Sequence, residues 1–409
     1  MLHGQNSNTM KVIFLALAFP KMDKSKYLYT QLVSQFHENG HDITVVAPAY
    51  DENLTGLQIE EGVKVIRVKT LPLFGVGMIK KGIANVLLPY QYKRALKKYE
   101  ANLKYDLIIT PTPPISLYGI ASWLKKRSGG KLYLILRDIF PQNAVDLGML
   151  KRNGVIYSYF RRKERKLYKV SDAIGCMSQG NIDYVINHNP DLDKSKLHML
   201  PNWGDIIPLA SDDVISALRK KNNFENKFIL IFGGNIGLPQ KMENIVALAS
   251  DCVEFENILF LIIGKGNESE NLKKSVADKG IKNVVLLDAL PQKEYMNWVQ
   301  MADVGLISLS EDFTIPNIPS KSLSYYNTKT PMLASIDRNT DFGTNLEKMN
   351  VGVWAEAGNT ADLKKKLLLL YNDEELRKTM GENGYKYMKD HLSSQIAYQT
   401  VVSFTSTNK

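Results

Sequence analysis

The stretch richest in chemistry runs from Phe313 to Asp337, FTIPNIPSKSLSYYNTKTPMLASID. Pro319, Ser320 and Lys321 read as the opening of a helix, since proline suits a first helical turn and SKSLSYYN continues without a breaker. PMLASID reads as a short buried strand after it. A helix start behind a tight loop offers backbone N–H groups and a positive dipole end, which together suit a phosphate, and Lys321 adds a full charge there. The same residues also fit an ordinary loop–helix–strand unit, so the rest of the chain has to decide.

Other stretches supply candidates of the same kind. FGGNIG, Phe232 to Gly237, directly follows a strand-like run and precedes a helix beginning near Met242. Glycines there let the backbone approach an anionic ligand, which makes Gly234, Asn235 and Gly237 candidate contacts, with Lys241 as counter-charge for a diphosphate. The pattern is not the GxGxxG dinucleotide fingerprint, and no acidic residue follows the next strand to hold a ribose. That strand leads into a second glycine pair, Gly264 and Gly266 in IIGKGN, with Leu290-Pro291 and MADVGLIS after it. Each of these alone also fits a plain strand-to-helix turn.

Arg137-Asp138 ends another apolar run, where Arg137 would stabilise a departing phosphate or an acceptor pyrophosphate and Asp138 would orient it or bind a sugar hydroxyl. An internal ion pair that shapes the loop is the plain alternative. The paired carboxylates of a glycoside hydrolase are not visible as a pattern. The six histidines are scattered without an HxH, and the one DxD, Asp191-Leu-Asp193, lies in a polar loop and reads as a solvated turn. No metal site is expected if lysines and helix dipoles carry the phosphate charge. His41, His188 and His198 read as structural or surface residues.

These residues need strands to position them. Lys11–Phe19, Asp42–Ala47, Val63–Val68, Leu107–Thr110, Leu132–Leu136 and Ala173–Cys176 are short apolar runs, with a helix at Tyr27–Asn39 stopped by Gly40. The pattern breaks in PNWGDIIPLASDD, near Pro201, then restarts with Phe228–Phe232, Ile258–Ile263, Val284–Leu287, Val304–Ser308 and Met332–Ser335. Met242–Cys252 and Tyr295–Ala302 read as helices between them, and the tail after Thr360 as helical to a last helix near Ile396–Phe404. Such alternation implies two parallel sheets covered on both faces, with ligands at the carboxyl ends of the strands.

At 409 residues the chain is too long for one ordinary core. Its net charge of +10 is uneven: residues 1–200 carry 29 Lys/Arg against 16 Asp/Glu, and residues 201–409 carry 23 against 26. The first half therefore faces something anionic. No zinc-finger spacing or RNP-like segment points to nucleic acid. An anionic membrane surface fits better, because IKKGIANVLLPYQYKRALKKYEANLK (79–104) and SYFRRKERKLYK mix apolar residues, tyrosines and lysines as interfacial helices do. Solvated basic helices with a core-facing stripe would look the same. The longest apolar runs are too short to cross a bilayer, MLHGQNSNTM lacks the layout of a secretion signal, and Cys176 and Cys252 read as buried thiols of a reducing cytoplasm.

The ordered set of glycine loop with lysine, strand-GxG, ADV-type strand and loop-helix resembles the donor domain of GT-B glycosyltransferases, specifically the retaining glycosyltransferase family 4. PNWGD at 201–205 looks like that family's PNGVD linker, and ENGHDITVVAP like its GHEVTVV segment. YDLIITPTPPISLYG and RDIFPQNAVDLGML resemble its acceptor domain, closest to the branch that builds bacterial O-antigen and capsule repeat units, often aminosugar transferases.

The resemblance implies an α/β GT-B fold of two doubly wound Rossmann-like domains facing a cleft, with a C-terminal helix returning to the first. The expected boundaries are 1–205 for acceptor and membrane, 206–390 for the nucleotide-sugar donor, and 391–409 for the returning helix. It assigns Gly234, Asn235, Gly237, Lys241, Gly264, Gly266, Leu290, Pro319, Ser320, Lys321 and Ser324 to the donor, and makes Arg137 and Asp138 the catalytic candidates. The chain departs from the family pattern where two glutamates usually stand, at Pro316 and Ser324. Asn235 also replaces a loop arginine, Arg137 a histidine, and PKMDKSKY lacks a glycine pair.

The implied activity is retaining, metal-independent transfer of a sugar from a nucleotide sugar to a polyprenyl-diphosphate-linked saccharide. UDP is the expected nucleotide and an N-acetyl aminosugar a candidate sugar; the setting is the cytoplasmic face of the cell membrane. A non-catalytic GT-B partner protein and a sugar-nucleotide 2-epimerase are the alternatives.

Overall fold

Short runs of Val, Ile, Leu and Phe form parallel strands in both halves of the chain, because such runs must be buried on both faces. The computed structural model describes residues 9–406 apart from 25, 50, 74 and 75. It divides into two units, one running to Pro201 and resuming at Ser394, the other Asn202–Ser393. Among the described residues no helix is long and apolar enough to cross a membrane.

The first unit holds β1 (Lys11–Leu15), β2 (Asp42–Pro48), β3 (Gly56–Glu60), β4 (Val63–Val68), β5 (Leu107–Pro111), β6 (Lys131–Leu136), β7 (Ala173–Cys176) and β8 (Leu197–Met199). Their order is β3-β4-β2-β1-β5-β6-β7-β8. All pairs are parallel except β3 with β4. That hairpin is absent from the sequence reading although its signal is there: Glu61 and Gly62 form a two-residue turn, both at positive φ (49° and 83°).

The first strand is shorter than the expected Lys11–Phe19. It ends at Leu15 because the chain then turns to bury Phe19 and give its carbonyls away. Arg67 on β4 donates to the Phe19 carbonyl at 2.5 Å and the Pro20 carbonyl at 3.2 Å. Its other N–H groups grip both oxygens of Glu60 at 2.8 Å. The pair is buried, and the bidentate fork satisfies both partners, as burial of charge requires.

The helix Ser394–Ser406 belongs to this first unit. Ala397, Tyr398 and Val401 are buried, and two histidines fasten it. His41 Nδ1 accepts from the Met10 N–H at 3.1 Å, so its proton sits on Nε2 and is donated to the Tyr398 hydroxyl at 2.8 Å. His198 stacks on Phe404 with ring centres 3.3 Å apart and meets the Tyr133 hydroxyl through Nε2 at 2.7 Å. Both are therefore structural, as the sequence suggested.

The second unit is one six-stranded parallel sheet of β9 (Phe228–Asn235), β10 (Ile258–Lys265), β11 (Val284–Leu287), β12 (Val304–Ser308), β13 (Met332–Ile336) and β14 (Gly352–Glu356). Its order is β11-β10-β9-β12-β13-β14. β14 escaped the sequence reading because GVWAE is short and mixed. Its Trp354 lies where any side chain at Gly343 would collide, 2.4 Å from the ring.

Burial holds the His198 pKa at about 4 and lowers that of His41. A histidine kept neutral by the fold binds fewer protons than in the unfolded chain. Stability is thus full above the unfolded value near 6.5 and is lost as pH falls from there towards 4. Urea unfolding at pH 5 is expected to show about 2 kcal/mol less stability from His198 than at pH 7.5. His198→Gln should shrink that difference, and a wild type equally stable at both pH values would rule out the neutral assignment.

Candidate functional site

In the second unit the strand order reverses between β9 and β12, the point where an open parallel sheet leaves a crevice at its carboxyl end. The ladder joining these strands stops after Val304↔Leu230 and Gly305↔Ile231. Beyond it the hydroxyl of Tyr325 lies 3.0 Å from the Ile231 carbonyl and 2.9 Å from that of Leu306. Gly305 makes room for it, since a Cβ there would sit 2.6 Å from the Tyr325 ring. This one buried side chain fixes the short helix Ser322–Asn327 beneath the crevice.

That helix begins later than the sequence suggested. Pro319 to Lys321 form the turn before it, and the N–H groups of Ser322, Leu323 and Ser324 are already bonded to the carbonyls of Pro319, Ser320 and Lys321. The expected opening at Pro319 is therefore corrected: the chain is still turning there, and the Ser322 hydroxyl bonds back to the Pro319 carbonyl at 2.8 Å. Ser324 lies half-buried inside the helix. The loop ahead is held at three points. Asn339 donates to the Phe313 carbonyl (2.5 Å), Thr340 to that of Asn317 (2.8 Å), and Asn202 to that of Ile318 (3.2 Å). Asp337 in turn fixes the N–H groups of Asn339 and Thr340. These positioning residues carry no motif that sequence reading would single out.

The glycines divide by role. Gly264 and Gly266 serve packing: a Cβ on Gly264 would lie 1.9 Å from the Gly234 carbonyl oxygen, and one on Gly266 2.0 Å from that of Ile236. They let the ends of β9 and β10 touch, in the register Gly264↔Gly234. Their expected backbone approach is thus made to the neighbouring strand. Gly233 likewise yields to Tyr295, whose hydroxyl would be 2.0 Å from a Cβ. Gly234 is different, being exposed, at φ +112°, with open space where its Cβ would point. Asn235 donates to Gln240 Oε1 at 3.1 Å, and the Gly237 N–H to the same atom at 3.2 Å. Leu290 is half-buried after β11, at the far edge of the sheet from the reversal.

Two lysines flank the reversal. Lys241, in a left-handed conformation (φ 39°), forms an ion pair with Glu311 at 3.0 Å, which raises its pKa. The sequence offered it only a phosphate as partner, and this carboxylate, in the Glu311-Asp312 pair three residues past the end of β12, carries no local sign of the contact. Lys321 is stranger. Its stem is partly exposed, but its Nζ is sealed with no hydrogen-bond partner among the described residues, 3.3 Å from the centre of the Phe232 ring. Burial pulls its pKa well below the ordinary lysine value. The full charge expected there is disfavoured until something anionic approaches.

In the first unit Arg137 and Asp138 follow β6. The Arg137 N–H donates to Thr112 Oγ1 at 3.2 Å, while its Nη1 is buried without a partner among the described residues. No ion pair within bonding distance joins Arg137 to Asp138 among the described residues, so the internal-pair alternative is not formed. Burial raises the Asp138 pKa, and the Arg137 charge only partly offsets it. Tyr29, absent from the sequence reading, shares this environment and feels both charges. A guanidinium with one unpartnered buried nitrogen thus stands next to a carboxyl whose pKa burial raises, a combination that marks a candidate functional site.

Residues 27–206 match the family described as Glycosyltransferase Family 4, and residues 214–387 the family Glycosyl transferases group 1. The chain is 23% identical over 278 residues to the probable glycosyltransferase WbjE of Pseudomonas aeruginosa, covering 67% of this chain and 68% of that one. It is 25% identical over 228 residues to the putative colanic acid biosynthesis glycosyl transferase WcaI of Escherichia coli K12 (53% of this chain), and spans only 54% of that protein. Among solved structures, Anabaena Alr3699/HepE in complex with UDP-glucose superposes with a TM-score of 0.72 at 15% identity, over 97% of this chain and 99% of that one.

Gly264→Ala should cost about 2–3 kcal/mol in chemical denaturation by forcing β9 and β10 apart. Gly234→Ala should cost about 1–2 kcal/mol, from backbone conformation alone. Equal costs at the two positions would contradict the division of roles.

Proposed function

The chain belongs to the GT-B glycosyltransferases, and from that premise we propose that it transfers a sugar from a nucleotide sugar, UDP-linked, to a saccharide on a polyprenyl diphosphate during surface polysaccharide synthesis. The observation that carries the donor reading is the pair of lysines at the β9/β12 reversal, one held by an exchangeable carboxylate and one sealed against Phe232 without a hydrogen-bond partner among the described residues. A diphosphate entering there takes Lys241 from Glu311 and draws Lys321 out as a cation. The open backbone at Gly234 and the N–H groups of the Ser320–Lys321 turn complete the cradle. The relative crystallised with UDP-glucose supports a uridine nucleotide, and an N-acetyl aminosugar is the candidate cargo.

The reaction is read as retaining and metal-independent. The bond from the anomeric carbon to the diphosphate oxygen breaks, and the acceptor hydroxyl oxygen bonds to that carbon on the same face. Its proton passes to the departing phosphate oxygen. Lysines and amides stabilise the charge that develops on the leaving diphosphate. Arg137 and Asp138 are assigned to the acceptor, the guanidinium for its pyrophosphate and the carboxyl for a sugar hydroxyl. Ser324 is assigned to the ribose as a neutral partner. The basic first unit is assigned to the anionic inner face of the cell membrane.

Incubation with labelled UDP-, GDP- and TDP-sugars and a lipid-linked acceptor tests this, with label expected in the lipid product. Free epimerised sugar would indicate a 2-epimerase, and no product from any donor a non-catalytic partner protein. Failure of every nucleoside diphosphate to protect against thermal unfolding would sink the donor site itself.

By calorimetry, Lys241→Ala should weaken UDP binding about 10–100-fold, the loss expected for one charge-assisted contact. Glu311→Gln should bind UDP at least as tightly as wild type, because the competing carboxylate is gone. Lys321→Met should raise the melting temperature yet weaken UDP, since it removes a sealed amine that only an anion can satisfy.

A further inference from the structure

A groove in the first unit lies apart from Arg137 and Asp138, between the helices Met78–Tyr99, Tyr118–Ser128 and Val155–Val170. It opens to solvent and holds a cavity of about 200 Å³. Its walls are apolar and flat: Pro89, Tyr90, Trp123 and Tyr159. Its charges are Lys93, whose Nζ lies 4.7 Å from the Trp123 ring centre, and Lys163, 5.5 Å from that of Tyr159 and 5.6 Å from that of Tyr118. Among the described residues no carboxylate lines it. Among the described residues neither lysine has an ion-pair partner.

The surroundings continue this chemistry. Ile83, Val86, Leu87 and Tyr90 recur at helical spacing on one stripe of helix 78–99 and are exposed, Tyr90 to 70%. One turn before Tyr159, Val155 and Ile156 are 89% and 59% exposed. The three helices carry fifteen Lys or Arg and a single acidic residue, Glu164. That residue is buried and already bonded to Arg161 and Tyr168. Exposed apolar stripes of this length need a cover, and the charge around them selects an anionic one. Water offers no partner for the hydrocarbon; a nucleic acid or acidic peptide would leave the stripes bare.

We propose that the groove takes up one anionic phospholipid from a bilayer, its hydrocarbon chain lying against the rings and its phosphate between Lys93 and Lys163. The exposed stripes then rest in the surrounding headgroup layer. This deepens the membrane part of the proposed function and rests on it, but is independent of the donor assignment. The groove makes attachment saturable and local, where a diffuse basic surface would adsorb without a defined seat.

Trp123 is a built-in reporter, since Trp203 and Trp298 are buried and the half-buried Trp354 lies on β14 of the second unit. The full chain is mixed with phosphatidylcholine vesicles containing or lacking phosphatidylglycerol, with brominated chains as quencher. Expected is binding to the anionic vesicles with quenching of the fluorescence that Trp123→Phe removes. Lys93→Glu with Lys163→Glu should weaken partition at least about tenfold. Tyr90→Ser, at an exposed position, should reduce quenching while leaving the melting temperature unchanged. UDP binding should be unchanged in all of these variants, which separates failure here from failure of the donor site. Vesicle binding equal in wild type and charge-reversed protein overturns the proposal. Quenching by brominated phosphatidylcholine chains that appears with polyprenyl phosphate in the vesicles, and not with phosphatidylglycerol in its place, overturns the phospholipid assignment in favour of the acceptor lipid.

Discussion

Where β9 and β12 part, two backbone carbonyls lose their ladder partners inside the protein, and one phenol hydroxyl meets both. Burial without partners would cost each carbonyl a few kcal/mol. Tyr325 shares its single O–H proton between them, which offsets part of that cost, and in doing so sets the height and tilt of its six-residue helix, which is too short to hold itself. The turn ahead of the helix and the lysine within it inherit their positions from this contact. Gly305 and Gly233 are small for the same reason, each leaving a tyrosine ring its space.

Strand alternation, the change of pattern near Pro201 and the order of glycine motifs were legible because each is a local signal: period, length and flanking glycine. The chain gave no comparable sign of β8 or β14, whose three and five residues carry too little pattern. The hairpin at Glu61-Gly62 was written in the sequence in a form easily passed over. What was misjudged in the candidate site was partnership. Nothing local shows that Glu311 closes on Lys241 from another loop, that the Lys321 amine turns under Phe232, or that Gly264 is small for the sake of Gly234. Such facts depend on which strand ends become neighbours, and strand order is not a local property.

A common electrostatic condition links the candidate residues. Lys321 and Arg137 each hold buried nitrogen without a partner among the described residues, Asp138 holds a carboxyl biased towards its proton, and Lys241 holds a carboxylate it would have to release. Cores rarely tolerate such groups unless a ligand resolves them. By contrast the buried Arg67–Glu60 pair and both ring nitrogens of His41 are satisfied.

The second unit interrupts the first. Its two ends lie side by side, with the Gly204 N–H donating to the Leu392 carbonyl at 2.8 Å, and the helix that seals Phe36, His41 and His198 comes only afterwards. On a ribosome this imposes a timetable. Residues up to Pro201 emerge without their last helix and must wait while Asn202–Ser393 is made, ~10–40 s at ordinary elongation rates. During that interval a tract of apolar surface on the first unit is uncovered, and the nascent chain is then at its most vulnerable to aggregation and to chaperone capture.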